Sequence, residues 1–322
     1  MAHVQVKFPA DATAASARRA RLAALRNAAG WALYVLLRAA VLLPFPWQLA
    51  AGKRAGRLTR LALSQRRTVV RRNLDVCFPE LSPAEREALA AAHFAALGAA
   101  FVEMAMGWFG PVQTIRRRVR IEGAEHLAAA LEKGRGVILY SGHYTSFEFF
   151  FPVLAPLCPR LCGMYKVQRN AVMNRVMSAG RARSFDHLFV KDSVREMLRE
   201  LARNSVVWYA SDQSYAQKGS ALIPFFGEPA MTNTAISRIA RISGATVLPY
   251  FCRRLPGDDY ELTIAAPLES FPTGDPAHDT RRLVARLEEL IRRSPEQYWW
   301  IHKRFKSRPP PYPDIYAAAA AR

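Results

Sequence analysis

GVILYSGHYTSFEFFFPVLAPL, residues 136–157, reads as strand, turn and helix in immediate succession. GVILYS is a short continuous apolar run, the length and composition of a buried strand. Gly142 permits a tight turn after it, and SFEFFFPVLAPL then looks like a buried helix. His143 therefore falls at the carboxyl end of a strand and Glu148 in the first turn of the next helix. Two residues five apart on one helix point about 140° away from each other, so His143 and Glu148 can meet only across a turn. In open α/β sheets ligands bind in the crevice beyond the carboxyl ends of the strands, which is where this histidine is expected.

Further strand-like runs surround this segment: RLCGMY (160–165), SVVWYA (205–210), ATVLPYFC (245–252) and YELTIAA (260–266). They alternate with helical stretches, which indicates an α/β sheet. Ser82-Pro83-Ala84-Glu85 combines an N-cap serine, proline at the first helical position and glutamate three residues after the cap. That pattern opens a helix reaching about Gly107. Ser193-Val194-Arg195-Glu196 predicts a second capping box, and Thr232 or Thr234 starts a helix through Ile242 that Gly244 closes. No internal repeat is visible.

At 322 residues and 51% hydrophobic the chain buries a sizeable core. Its formal charge of +20 implies a polyanionic partner: nucleic acid, anionic lipid or a phosphorylated substrate. Residues 1–120 hold 19 Lys/Arg against 6 Asp/Glu, a net +13 of that total. Within them, AAGWALYVLLRAAVLLPFPWQLAA (28–51) is flanked by Arg18, Arg19, Arg21 and Arg26 on one side and Lys53, Arg54 and Arg57 on the other. Its length is near the roughly 20 residues of a spanning helix, but Arg38 in its middle and Pro44 and Pro46 near its end favour an anchor embedded from one face. A cleaved signal peptide fits poorly, given a lead of about 27 residues and no small-x-small site after the run. Cys77, Cys158, Cys162 and Cys252 show neither zinc-ligand spacing nor the density of a disulfide scaffold, which suits a reducing compartment.

The spacing of His143 and Glu148 is not specific by itself. Seven histidines and 26 acids in 322 residues predict roughly half a match by chance, and His187 with Asp192 is a second one. His187 lies inside SFDHLFV and reads as a strand residue, with Asp192 as a helix cap. The strand-turn-helix setting singles out the first pair. In such a pair the carboxylate fixes the imidazole tautomer while the other ring nitrogen takes a proton from a hydroxyl. Ser141 and Ser146 do not sit in G-x-S-x-G, so direct attack by a substrate hydroxyl is preferred to an acyl-enzyme. One histidine and one glutamate supply too few ligands for a metal, and neither G-x-G-x-x-G nor G-x-x-x-x-G-K-[ST] occurs, so no metal and no cofactor is expected.

Five ordered blocks carry a family resemblance: HYTSFE (143–148), MYKVQRNAVMNRVMSAGRARS (164–184), VVWYASDQSY (206–215), IPFFGEPAMTNTAISRIARISGATVLPYFCRR (223–254) and PEQYWWIHKRFKSRP (295–309). Together, from about Gly30 to Pro310, the chain resembles the lipid A biosynthesis secondary acyltransferases, the lauroyl-transferase group of the lysophospholipid acyltransferase superfamily. The resemblance implies a mixed sheet flanked by helices, of glycerolipid-acyltransferase type, with an N-terminal apolar membrane-anchoring helix. It implies His143 as general base, Glu148 as its orienting carboxylate, acyl-acyl carrier protein as donor and a Kdo-lipid IVA acceptor at the cytoplasmic side of the inner membrane. The thioester oxyanion then needs a nearby cation or backbone N–H, for which Lys166, Arg169 and Arg181 are candidates, equally able to bind acceptor phosphates. Lys166 stands where relatives often carry arginine, which keeps the charge and loses the bidentate fork. Asn170, Asp212 and Gln213 match recurrent polar positions, and the last two can also simply organise a loop after a strand.

The expected organisation is a basic mobile lead (1–27), an anchoring segment (28–57), the α/β acyltransferase domain (58–310) and a tail (311–322). Three alternatives stay open. Transfer to another glycolipid or a lysophospholipid remains within the same chemistry, and a membrane-surface scaffold without catalysis is opposed by the intact pair. A nucleic-acid-binding protein is the reading from another class. It is motivated by Tyr298, Trp299 and Trp300 beside Lys303, Arg304, Lys306 and Arg308, and opposed by missing recognition motifs. The same aromatic-basic cluster also suits a membrane interface, or aromatics that close the core beneath solvated cations.

Overall fold

A computed structural model describes residues 27–168 and 170–317, and its first feature is a helical layer. This layer comprises α1 (27–40), α2 (Phe45–Ala62), α3 (Ser64–Cys77), α4 (Pro83–Phe109) and α5 (Val112–Arg116). Next come β1 (Val119–Glu122), α6 (Ala124–Glu132), β2 (Val137–Ser141), α7 (Phe147–Leu154), β3 (Leu161–Tyr165), α8 (Ala171–Arg181), β4 (His187–Val190), α9 (Val194–Ala202) and β5 (Val206–Ala210). The chain continues through the hairpin β6 (Ser220–Phe225) and β7 (Glu228–Asn233), then α10 (Ala235–Ser243), β8 (Thr246–Arg254), β9 (Tyr260–Ile264) and α11 (Pro276–Arg293).

Seven strands form one mixed sheet in the order β1-β9-β8-β2-β5-β3-β4. All neighbours are parallel except β8 and β9. β2 is buried at every position and lies between β5 and β8, so the turn at its carboxyl end sits over the middle of the sheet. The expected mixed sheet flanked by helices is observed.

Ser82 caps α4 as its sequence predicts: the Glu85 N–H donates to Ser82 Oγ at 3.3 Å and the Ser82 N–H to Glu85 Oε2 at 2.7 Å. The expected box at Ser193 does not form. Asp192 takes a left-handed φ of 73° and caps nothing, Ser193 makes no side-chain cap bond, and Glu196 turns instead toward His187 at 3.8 Å. Helix α10 begins after Thr234, whose hydroxyl donates to the Gly219 carbonyl at 2.8 Å. Asn233 Oδ1 accepts the Ala235 N–H at 2.8 Å in its place, and Gly244 closes the helix at a φ of 71°.

The stretch 28–51 is not the single anchoring helix its hydropathy suggests. Pro44 adopts an extended ψ of 131° as the cap of α2, and with Pro46 in the first turn it divides the stretch into α1 and α2. Arg38 lies 5.2 Å over the Phe109 ring, so its charge is turned onto the protein. Among the described helices α4 alone is long and apolar enough to cross a bilayer, and half of that window is buried in the protein. The basic lead before residue 27 lies outside the described residues.

Helices α2 and α4 touch backbone to backbone. A Cβ on Gly98 would lie 2.0 Å from the Gly52 carbonyl oxygen, and one on Gly56 would lie 2.1 Å from that of Phe94. Glu103, fully buried on α4, accepts from Arg254 Nε at 3.1 Å and from the Tyr260 hydroxyl at 2.7 Å, which pins the layer to β8 and β9. The C-terminal aromatics Tyr298, Trp300 and Phe305 belong to the core, and buried Arg304 donates to the Met231 carbonyl and the Thr232 hydroxyl. These rings are therefore not a stacking platform for bases, and of the neighbouring cations Lys303 and Lys306 are the exposed ones.

Both the helix contact and the burial of α4 have measurable effects on stability. Gly98→Ala must wedge α2 from α4, and thermal unfolding in detergent should show a loss of about 1–3 kcal/mol. His93, buried on α4 with Nδ1 2.9 Å from the Glu296 carbonyl, is lowered to about 4 by burial. Below its ordinary range the unfolded chain takes a proton that the folded chain refuses, so stability should fall between about pH 6.5 and pH 4, by about 3 kcal/mol from this residue. His93→Gln should flatten that part of the unfolding profile.

Candidate active site

β2 and β5 pair in parallel with Ser141 opposite Ala210, and two residues beyond each end stand His143 and Asp212. His143 Nδ1 lies 2.5 Å from Asp212 Oδ1, and the His143 backbone N–H donates to Oδ2 at 2.8 Å. The Tyr298 hydroxyl faces the same carboxylate and favours its ionised form. Burial alone would raise the Asp212 carboxyl, but attraction to the His143 side chain and the hydrogen bonds from its ring and backbone outweigh it and hold the group well below the usual carboxylate range. An ionised Asp212 only accepts, so Nδ1 carries the hydrogen and Nε2 of His143 is left as the basic nitrogen. The ring has Phe147 and Trp208 edge-on about it, at centroid separations of 6.2 and 6.1 Å. Gly142 is required by close approach: a Cβ there would meet Leu287 at 2.9 Å and Asp212 Oδ2 at 3.3 Å.

The carboxylate expected to orient His143 is engaged elsewhere. Glu148, in the first turn of α7 and nearly buried, accepts from Trp108 Nε1 at 2.9 Å and from Arg181 Nε at 2.8 Å, with Arg181 Nη2 on the same oxygen. No hydrogen bond or ion pair joins it to His143 among the described residues. The turn does bring the two residues to the same end of the sheet, but α7 begins at Phe147 and aims Glu148 at α4 and α8. Small residues make this possible, since a Cβ on Gly107 would meet the Glu148 carbonyl oxygen at 2.3 Å and one on Gly180 the Trp108 ring at 2.5 Å.

Gln213 lines a small cavity with His143, Asp212, Tyr298, His302 and Arg304. His302 is lowered to about 4, chiefly by burial, and its neutral Nε2 accepts the Ser214 N–H at 3.2 Å. Asn73, buried on α3, ties down this wall by donating to the Trp300 and His302 carbonyls at 2.7 and 2.8 Å. Asn170 Oδ1 caps α8 by accepting the Met173 N–H at 3.0 Å. Lys166 is exposed just beyond β3, and Arg169 lies outside the described residues. Arg181 Nη1 makes no hydrogen bond among the described residues.

His187 is a strand residue, as its surroundings indicate. Among the described residues no cluster of three His, Cys, Asp or Glu side chains could hold a metal. Trp108 and His302 carry no sign of a site role in the sequence, and Tyr298 and Arg304 stand out there only as part of the aromatic-basic cluster, because their place at the site depends on how the fold brings them together. The role of Asp212 had one: it stands two residues past a strand, as His143 does, so parallel pairing of those strands in register would juxtapose them.

Among the described residues no serine or cysteine hydrogen-bonds to His143, and its Nε2 is left without a protein partner, an arrangement that suits deprotonation of a substrate hydroxyl. Comparison with known proteins identifies the family. The family described as bacterial lipid A biosynthesis acyltransferase matches residues 16–307. The chain is 36% identical over 271 residues to the lipid A biosynthesis palmitoleoyltransferase of Escherichia coli (strain K12), an overlap of 84% of this chain and 88% of the relative. It is 34% identical over 279 residues to the lauroyltransferase of the same organism, covering 86% and 90%. To the myristoyltransferase of that strain it is 30% identical over 263 residues, covering 80% of each. With a match running through nearly all of its length, the chain belongs to the bacterial lipid A biosynthesis acyltransferases.

Proposed function

We propose that this acyltransferase moves a fatty acyl chain from acyl-acyl carrier protein to a hydroxyl of a Kdo-lipid IVA type acceptor, without an acyl-enzyme. The observation that carries the mechanism is the His143–Asp212 pair at the carboxyl ends of β2 and β5. His143 Nε2 takes the acceptor hydroxyl's proton as its oxygen attacks the thioester carbonyl, and Asp212 stabilises the imidazolium that forms. Collapse of the tetrahedral intermediate forms the ester and expels the carrier thiolate, to which His143 returns the proton. Glu148 holds Arg181, whose remaining Nη1 is the cation assigned to the oxyanion. Lys166, Arg169, Asn170 and Gln213 are assigned to substrate contacts around the same mouth.

Membrane attachment fits the outer surface of the helical layer. Val35 and Leu36 on α1, Leu42 in the joint and Trp47, Leu58 and Leu61 on α2 are each more than half exposed. Side chains of this kind, with Arg54 exposed among them, suit a surface lying in one leaflet of an anionic bilayer. The cytoplasmic face of the inner membrane is where such a surface meets the carrier protein.

Detergent-solubilised protein with labelled acyl carrier protein and Kdo-lipid IVA tests the chemistry. Asp212→Asn keeps the shape and loses the ionised acceptor, so kcat should drop by about 10²-fold or more, and His143→Ala should drop further. Full activity in Asp212→Asn would remove the base mechanism, and full activity in Glu148→Ala would remove Arg181 from it. Leu42→Asp with Trp47→Asp should free the protein from membranes in a high-salt wash that leaves the parent bound.

A further inference from the structure

On the far side of the segment 294–300 from the His143 cavity lies a cleft of about 580 Å³. Its walls carry Lys53 and Arg57 from α2, Arg253 and Arg254 from β8 and Arg293 at the end of α11, against one acid, Glu296. Its floor is the alanine face of α4. Three of the cations are tethered: Lys53 to Asp258 at 2.5 Å, Arg253 to Glu261 at 2.8 Å and Arg254 to Glu103 at 3.1 Å. The Arg57 and Arg293 side chains form no ion pair or hydrogen bond among the described residues. Glu296 takes a hydrogen bond from Gln297 Nε2 at 2.8 Å. Arg254 Nη2 is buried without a partner. The balance in the cleft is an unmatched positive charge carried on guanidinium groups, side chains able to bind phosphate oxygens in pairs.

Its position narrows the source of that phosphate. Along α2, the exposed Trp47, Leu58 and Leu61 form one line, and at about 100° per residue Lys53 and Arg57 stand about 100° around the helix from it. With the apolar line in the acyl region of a leaflet, the cleft opens at the depth of the headgroups. It is also coupled to the reaction centre: the Gln297 carbonyl, on the cleft wall, accepts the Thr145 N–H at 2.8 Å two residues from His143. We propose that this cleft binds a phosphate of a phosphorylated lipid, and in turnover a phosphate of the acceptor glycolipid. This rests on the phosphorylated acceptor and the leaflet-lying surface proposed above. An acidic carrier-protein helix is the less suited occupant, because the cations line a concavity instead of a flat face.

Two measurements test it. In the first, His143→Ala protein, unable to turn over, is titrated with detergent micelles containing phosphatidic acid or diacylglycerol. Arg57→Gln with Arg293→Gln should weaken phosphatidic acid binding about tenfold or more and leave diacylglycerol unaffected. Arg199→Gln with Arg281→Gln, on exposed helix surfaces, should change neither, and Arg57→Lys with Arg293→Lys should retain most of the binding. In the second, turnover by the double glutamine variant should show an acceptor KM raised about tenfold, with kcat and the KM for acyl carrier protein unchanged. Phosphatase treatment of the acceptor should abolish the difference between parent and variant. Unchanged phosphatidic acid binding overturns the proposal, as does a KM effect confined to acyl carrier protein. Inorganic phosphate alone, if it binds as tightly and with the same arginine dependence, overturns the lipid source. Arginine-dependent phosphatidic acid binding in a protein that acylates no lipid A precursor would uphold the cleft and reject the proposed function.

Discussion

The contact on which the site depends is that between the Asp212 carboxylate and His143. A buried, ionised carboxylate is costly unless its oxygens are filled, and here an imidazole N–H and a backbone N–H fill one each, with the Tyr298 hydroxyl facing them. The turn after β2 supplies both donors and the C-terminal wall the hydroxyl. The arrangement therefore requires β2 and β5 to pair in register, Gly142 to let the turn close, and residues 297–302 to fold back over the sheet. The ring so held presents one tautomer and one open nitrogen, which is what a general base needs before substrate arrives.

The helical layer meets a different constraint. It must hold Glu148 and Arg181 beside the sheet while keeping its outer surface apolar and exposed. Close packing at Gly52, Gly56 and Gly98 draws α2 onto α4 without using large side chains, which leaves Trp47, Leu58 and Leu61 free to face outward. Gly107 and Gly180 do the same around Trp108, so the indole N–H reaches Glu148. The glycines thus connect the outer surface of the layer with the placement of a buried carboxylate.

Much of the sheet was legible because strands β2, β3, β5 and β8 are largely apolar runs of strand length and β9 alternates apolar with polar residues, and the start of α4 because its capping box uses only local bonds. The cap at Ser193 failed for a non-local reason: the preceding residue turns left-handed and Glu196 has a partner on β4. Hydropathy also joined α1 to α2, since it weighs side chains and takes no account of the backbone restriction at Pro44. The histidine proposed as the base could be found from its place after a strand. Its carboxylate could not be chosen by spacing, because five residues in sequence says less about contact than equal distance past two paired strand ends.

Those two carboxylates now divide the labour that a single His/acid pair would have had to perform. Asp212 lies under His143 and fixes its protonation, while Glu148 is neutralised by Arg181 and an indole N–H. An acid bound in that way is poorly placed to add basicity to an imidazole, and well placed to keep a guanidinium rigid in a half-buried site. A rigid cation beside a base is what addition to a thioester demands, since negative charge develops on the carbonyl oxygen as the hydroxyl loses its proton. Separate anchoring of base and cation lets each be held in its ground-state position, so that neither has to move as the charge develops.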